Sequence, residues 1–329
     1  MFLHLKRTGL VAAFVTMASA AFGQPLQDIT IGLSAASFAT APTQIAKEMG
    51  LYEKHGLNAK IIVMQSGNAA LSALLGKSVT FALAGSSEFI AARARGQKIV
   101  TVDRIYGGSS AYLVLAKSVV DKLGISPDAP LNDRLKALSG LVIASPSPTS
   151  TYTLSYRLAA KAAGVEFRST YMDFAAMNAA LETGAIQGYV GSAPFWVNPV
   201  LKGLAVMWVN GPRGDLPTDY SPVNGNSLQA MQDFAEANRD LIGKLRAVIA
   251  ELRQAVKDRP AEVKAVLAKM YPSLTAEMIG LLFASESRGW IYPPITAADI
   301  KHDIDFTKAT GAPLPELDTL DPAALLYKP

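Results

Sequence analysis

Short apolar runs alternate with helical segments along most of the chain, and this alternation restricts the fold more than any other feature. Asp28–Leu33, Ala59–Val63, Val79–Leu83 and Ile99–Val102 read as strands. Helices are expected over Thr43–Lys54, from Gln65-Ser66-Gly67-Asn68 to Gly76, and from Gly85-Ser86-Ser87 to Arg95. A second series starts near Leu113, with strands at Leu141–Ala144, Thr170–Met172, Ile186–Val190 and Ala205–Val209. Its helices run from the Ser145–Thr151 loop to Ala163, over Ala175–Glu182, and from Pro194, a residue suited to a first helical turn. Repeated β–loop–α units imply an α/β fold with mainly parallel sheets, whose strand C-termini carry the ligand-facing loops.

From about Phe234 the pattern changes to helix. Leu241, Ile242, Leu245, Val248, Ile249, Leu252 and Val256 form one apolar stripe, which an amphipathic helix needs for packing. The Gly/Pro-rich stretch Asn210–Pro217 separates this tail from the second α/β series.

The N-terminus reads as an export leader. Lys6 and Arg7 precede an apolar, small-residue stretch from Gly9 to Phe22, too short for the ~20 residues of a membrane span. Residues 1–23 are assigned to a signal peptide, with cleavage after Ala20 or Gly23. The roughly 305 residues left exceed one ordinary core and imply two domains. There are no cysteines, which excludes disulfides, thiolate metal sites and cysteine nucleophiles. The net charge is only +4 and the basic residues are scattered, so no nucleic-acid track is expected.

Catalytic motifs are lacking. Leu75-Gly76-Lys77-Ser78 resembles the end of a P-loop, but Leu71 stands where that loop needs glycine. Gly85-Ser86-Ser87 and Gly107-Gly108-Ser109 lack the second glycine of a nucleophile elbow. Past the leader only His55 and His302 remain, so no histidine triad or zinc site is expected, and no cofactor.

Hydroxyls and backbone amides at helix starts recur instead. Ser37, Gln65-Ser66-Gly67, Gly85-Ser86-Ser87 and the Ser145–Thr151 loop each lie between a strand and a helix. Unpaired N–H groups and the helix dipole can hold a carboxylate, sulfonate, nitrate or phosphate there without a basic side chain. The same residues are ordinary N-caps, so both roles stay open for any one of them. The Ser145–Thr151 loop is the leading candidate, with Ser147, Thr149 and Ser150 as ligand donors; Ser145, Thr151 and Ser192 are further ligand candidates. Aromatic candidates beside the loops are Phe38, Tyr106, Phe195 and Trp196, together with Tyr112, Tyr152 and Phe174.

Several segments together resemble one family. Gln44–Leu57, with Met49-Gly50-Leu51-Tyr52-Glu53-Lys54-His55-Gly56-Leu57, is similar to the opening block of the nitrate/sulfonate/taurine-type solute-binding proteins of ABC importers. That group includes relatives that bind thiamine-pyrimidine precursors. Ser66–Gly85, Gly96-Gln97-Lys98-Ile99-Val100, Leu135–Ala144 and the Arg253–Lys269 pair of helices follow in the family's order. The resemblance implies a two-lobed, hinge-bending periplasmic-binding-protein fold (type II-like). Lobe 1 would comprise residues 24–110 and 211–329, with the helical tail packing on it, and lobe 2 residues 111–210. It further implies a periplasmic monomer that captures a small molecule without transforming it and delivers it to an ABC permease in the inner membrane. A sensor subunit for a membrane receptor, or an enzyme on the same scaffold, are the alternatives. Relatives that recognise an amino group often carry an acid before the proline that follows the last lobe-2 strand. Here the segment is Gly191-Ser192-Ala193-Pro194, so an anionic or neutral ligand is expected: a sulfonate, carboxylate or heteroaromatic.

Overall fold

The computed structural model describes residues 25–328. The expected leader and its cleavage site lie outside them. The strands are β1 (Gln27–Leu33), β2 (Leu57–Val63), β3 (Phe81–Gly85), β4 (Ile99–Gly107), β5 (Tyr112–Ala116), β6 (Val142–Ser145), β7 (Arg168–Tyr171), β8 (Gly188–Gly191), β9 (Ala205–Asn210) and β10 (Asn224–Met231). They form two five-stranded sheets, ordered β2-β1-β3-β10-β4 and β7-β6-β8-β5-β9.

In each sheet four of the five strands run the same way, as expected, and one, β10 or β5, runs against them. β1 pairs parallel with β2 and β3, whereas β10 runs antiparallel to both β3 and β4. The second sheet repeats the scheme, with β6 parallel to β7 and β8, and β5 antiparallel to β8 and β9. The two chain crossings between the lobes account for this. β4 leaves the first lobe where β10 returns, and β5 enters the second where β9 leaves, so each adjacent pair must run in opposite directions. Backbone bonds tie the two crossings together: Gly108 N–H donates to the Val223 carbonyl and Gly211 N–H to the Ala111 carbonyl, both at 2.9 Å.

Helices cover both faces of each sheet, as a sheet buried on two sides requires. The whole apolar stripe from Leu241 to Val256 lies on the 20-residue Arg239–Asp258 helix and is buried against β1, β3, β4 and the Ala41–Glu48 helix. The Pro260–Met270 and Ala276–Trp290 helices continue that layer, so the C-terminal tail packs on lobe 1. On the opposite face Leu71, Leu74, Phe89, Ile90, Ile300 and Ile304 make a second core. Lobe 2 is built alike: Leu138, Tyr156 and Trp208 pack on one face, and Phe174, Met177, Leu181 and Tyr189 on the other.

Two local expectations change. β10 was not foreseen, because Asn224-Gly225-Asn226-Ser227 has no apolar alternation. The strand is nonetheless buried, and its polar side chains bond within it and across to β3: Asn224 Nδ2 and Gln229 Nε2 both donate to Ser227 Oγ, at 3.2 and 2.8 Å, and Gln229 Oε1 accepts from Ala84 N–H at 3.2 Å. Pro194 stands in a turn, and the helix after it begins only at Val197. Among the described residues no helix is long and apolar enough to cross a membrane.

Candidate ligand-binding cleft

Three helix N-termini meet where the lobes face each other. Ser66 caps the Gly67–Leu75 helix by accepting from Ala69 N–H at 3.2 Å, and Ser150 caps the Thr151–Ala162 helix by accepting from Tyr152 N–H at 3.3 Å. The Ser86–Arg93 helix starts at Gly85, whose N–H donates to Glu88 Oε2 at 3.0 Å. Lobe 1 lines the cleft between them with Ser34, Ala35, Ser37, Ser66, Gly67, Gly85, Glu88, Gly225 and Asn226. Lobe 2 contributes Pro146, Ser150, Thr151, Tyr152 and Phe174, and the closed lobes leave a cavity of only about 20 Å3 between them.

Direct bonds close the lobes over this space. Phe38 N–H donates to the Ala193 carbonyl at 2.8 Å, Asn68 Nδ2 to Thr149 Oγ1 at 3.0 Å, and Ser87 N–H to Thr151 Oγ1 at 3.3 Å. The apolar wall is aromatic. Phe174 stacks on Phe195 with centroids 4.6 Å apart, and Tyr152 meets Phe174 edge-on at 6.1 Å. The Tyr152 hydroxyl lies 3.3 Å from Ser110 Oγ, and burial pushes its pKa up to about 12.

Glu88 dominates the electrostatics. It is only 5 % exposed, and burial pushes its carboxyl up to about 7 against the opposing pull of the Gly85 N–H. Gly67 and Gly85 make room for it. A Cβ on Gly67 would overlap the carboxylate, and one on Gly85 would lie 2.7 Å from both Glu88 Oε2 and Thr151 Oγ1. None of the lining residues is lysine, arginine or histidine.

The sequence candidates divide in two. Ser37, Ser66, Gly67, Gly85, Ser150 and Thr151 come together on the cleft wall. Phe195 stands behind Phe174, and Thr149 serves the interlobe bond to Asn68. Ser147 is buried beside the wall, and its Oγ has no partner among the described residues. Ser192 is buried at the junction, its Oγ 3.4 Å from the Ala193 carbonyl.

Others are placed elsewhere, each for a physical reason. Phe38 is taken up in the lobe 1 core, stacked 4.9 Å from Tyr271 and 6.1 Å from Trp290. Tyr106 is buried over Gly289, where a Cβ would overlap its ring. Trp196 packs 5.2 Å from Tyr112. Gln65 is exposed. Ser86 Oγ donates to the buried Asp303 at 2.5 Å, and Ser145 Oγ accepts from Thr153 at 2.7 Å, so both hydroxyls already have structural partners.

Glu88 and Asn226 were not singled out from the sequence. The capping-box spacing from Gly85 to Glu88 was the available signal, but an acid at the third position of a helix is usually solvated. Among the described residues no group of three or more His, Cys, Asp or Glu could hold a metal ion.

The NMT1-like family profile matches residues 23–271. Solved structures share the fold at low identity. The alkanesulfonate-binding protein SsuA of Xanthomonas axonopodis pv. citri, bound to MOPS, is 18% identical with a TM-score of 0.73, over 93% of this chain and 100% of that one. The periplasmic aliphatic sulphonate-binding protein SsuA of Escherichia coli is 20% identical with a TM-score of 0.64, over 86% and 91%. The periplasmic nitrate-binding protein NrtA of Synechocystis PCC 6803 is 16% identical with a TM-score of 0.62, over 86% and 80%. Among curated proteins none is detectably similar in sequence. The chain belongs to the NMT1-like family and carries the two-lobed α/β fold of periplasmic binding proteins.

Proposed function

We propose that the chain is the substrate-binding component of an ABC importer. It captures a small organic ligand between two hinge-closing lobes in the periplasm and, as a monomer, presents the closed form to an inner-membrane permease. One observation carries this reading: three capped helix starts and an aromatic wall converge on a cleft that both lobes build and that interlobe hydrogen bonds close. The paired crossings supply a hinge of two adjacent connections, which can flex without breaking either sheet.

Of the ligand types left open by the sequence, a neutral heteroaromatic fits this cleft best. The flat body would lie along Tyr152 and Phe174 and its polar edge would meet the hydroxyls. Sulfonates and carboxylates fit poorly. The place an anion would take between two helix N-termini is already filled by the carboxylate of Glu88, and no basic side chain lines the cleft.

Small-angle scattering and native mass spectrometry test the reading. A copurifying small molecule whose addition lowers the radius of gyration, and which is recovered unchanged, supports capture. Recovery of a chemically altered molecule would point to an enzyme instead.

A further inference from the structure

We propose that Glu88 is the specificity-determining residue of the cleft, accepting an N–H hydrogen bond from the ligand and so selecting small organic nitrogen compounds of amide or amidine type over sulfonates and carboxylates. This inference rests on the solute-capture reading and names the chemistry that the captured molecule must carry.

The hydrogen-bond bookkeeping of the wall leads to it. Ser66 Oγ, Ser150 Oγ and Thr151 Oγ1 each already accept a backbone N–H, from Ala69, Tyr152 and Ser87. None of the three donates its own proton to a described residue, so each faces the cleft as a donor. Glu88 has the opposite character. Its Oε2 is held by Gly85 N–H at 3.0 Å, while no described residue donates to Oε1. The carboxyl is more than nine-tenths buried and still lines the cleft, held in place by the absence of side chains at Gly67 and Gly85. That free oxygen opens on the cleft, where a ligand N–H can donate to it.

A strong acceptor beside several hydroxyls suits a group that brings an N–H to the carboxylate: an amide also offers its carbonyl to the hydroxyls, and an amidinium brings N–H groups together with a positive charge. A sulfonate or carboxylate offers acceptors only, and would meet a second negative charge with no basic residue to offset it. Burial holds the Glu88 carboxyl near 7, so near neutral pH part of the population is protonated. A cationic ligand favours the ionised form and must expel that proton. An anionic ligand would instead take one up.

Four probes that share one ring separate the possibilities: benzamidine, benzamide, benzoate and benzenesulfonate. Thermal shift and calorimetry on the wild-type chain should rank benzamidine and benzamide first, with the two anions at least tenfold weaker. Calorimetry of benzamidine at pH 7 in phosphate and in Tris should show proton release. Glu88→Gln keeps an oxygen for Gly85 N–H, and should weaken benzamidine at least tenfold, abolish the proton release and narrow the gap to benzoate. If that variant does not fold, the probe ranking and the proton count on the wild-type chain decide the question.

Anions that bind first, proton uptake in place of release, an unchanged ranking in Glu88→Gln, or no binding of any probe would each overturn the inference. A copurifying ligand that still lowers the radius of gyration would leave solute capture standing in all these cases. A radius of gyration unmoved by every bound molecule strikes at capture itself.

Discussion

Glu286 accepts a hydrogen bond from the Tyr112 hydroxyl at 2.7 Å, which joins the C-terminal helical layer of lobe 1 to the first strand of lobe 2. The carboxyl is fully buried, and burial pushes it up to about 7 against the pull of the Tyr112 and Tyr106 hydroxyls. The folded protein therefore keeps a proton that the unfolded chain releases near 4.5. A raised carboxyl adds stability that is complete below the unfolded value and is lost as pH rises through the folded one. Glu88 is raised likewise, so both act in the same window. Unfolding free energy should fall between about pH 4.5 and 7.5, by roughly 3 kcal/mol for each carboxyl. Urea denaturation at stepped pH measures the slope, and Glu286→Gln should remove about half of it. A stability that rises over this interval would show that Glu286 is ionised in the folded state.

The bond between Asn68 and Thr149 is the half-buried counterpart of that joint. It links the two lobes at 3.0 Å, and neither residue belongs to a hydrophobic core. Asn68→Ala should leave the melting temperature nearly unchanged but shift the lobes toward the open form by about 2- to 10-fold, the worth of one ordinary hydrogen bond. Scattering on the unliganded protein should show a larger radius of gyration, and bound ligand should dissociate faster. An unaltered radius together with an unaltered off-rate would mean that closure does not depend on this contact.

The sequence and the structure agree where a physical pattern has a period. Apolar runs alternating with helical segments revealed the strands of both α/β series except β5, and the stripe from Leu241 to Val256 revealed the longest tail helix, because burying one face leaves a repeat in the chain. β10 leaves no such repeat. Its Asn and Gln side chains are buried by bonding to Ser227 and to Ala84 N–H, a solution that depends on neighbours from distant segments. The site was legible in the same partial way. Serines and threonines at strand–helix junctions marked several wall residues, since capping and ligand contact use the same geometry. Phe38 and Tyr106 also sit beside loops, yet Tyr271, Trp290 and Gly289 bring cores against them. Glu88 could not be told from a solvated capping acid until the fold set Gly67 against its carboxylate.

That placement makes Gly67 a separate test of the cleft. The position is the first residue of a helix, where alanine is favoured on backbone grounds, but a Cβ there overlaps Glu88. Gly67→Ala should therefore displace the carboxylate while the helix persists. We expect ligand affinity to fall at least tenfold, with the loss of stability held within about 1–3 kcal/mol, as for other overpacked sites. Calorimetry alongside circular dichroism separates the two effects. Unchanged affinity in a folded variant would place ligand recognition away from Glu88.

Asp303 connects the hinge to the helix that carries Glu88. Its Oδ1 accepts from Val223 N–H at 2.8 Å, beside the returning crossing, and its Oδ2 accepts from Ser86 Oγ at 2.5 Å, at the first residue of the Glu88 helix. Burial holds its carboxyl above the usual aspartate range, so losing either donor leaves a costly group behind. Asp303→Asn and Ser86→Ala should each destabilise the fold by about 1–3 kcal/mol. Because they share one bond, the double variant should lose about 1 kcal/mol less than the sum. Strict additivity would mean that the Ser86 hydroxyl and the Asp303 carboxyl do not communicate. With coupling present, ligand affinity should also weaken in Ser86→Ala although Ser86 itself does not line the cleft, since the Ser86–Asp303 bond fixes where the Glu88 helix begins.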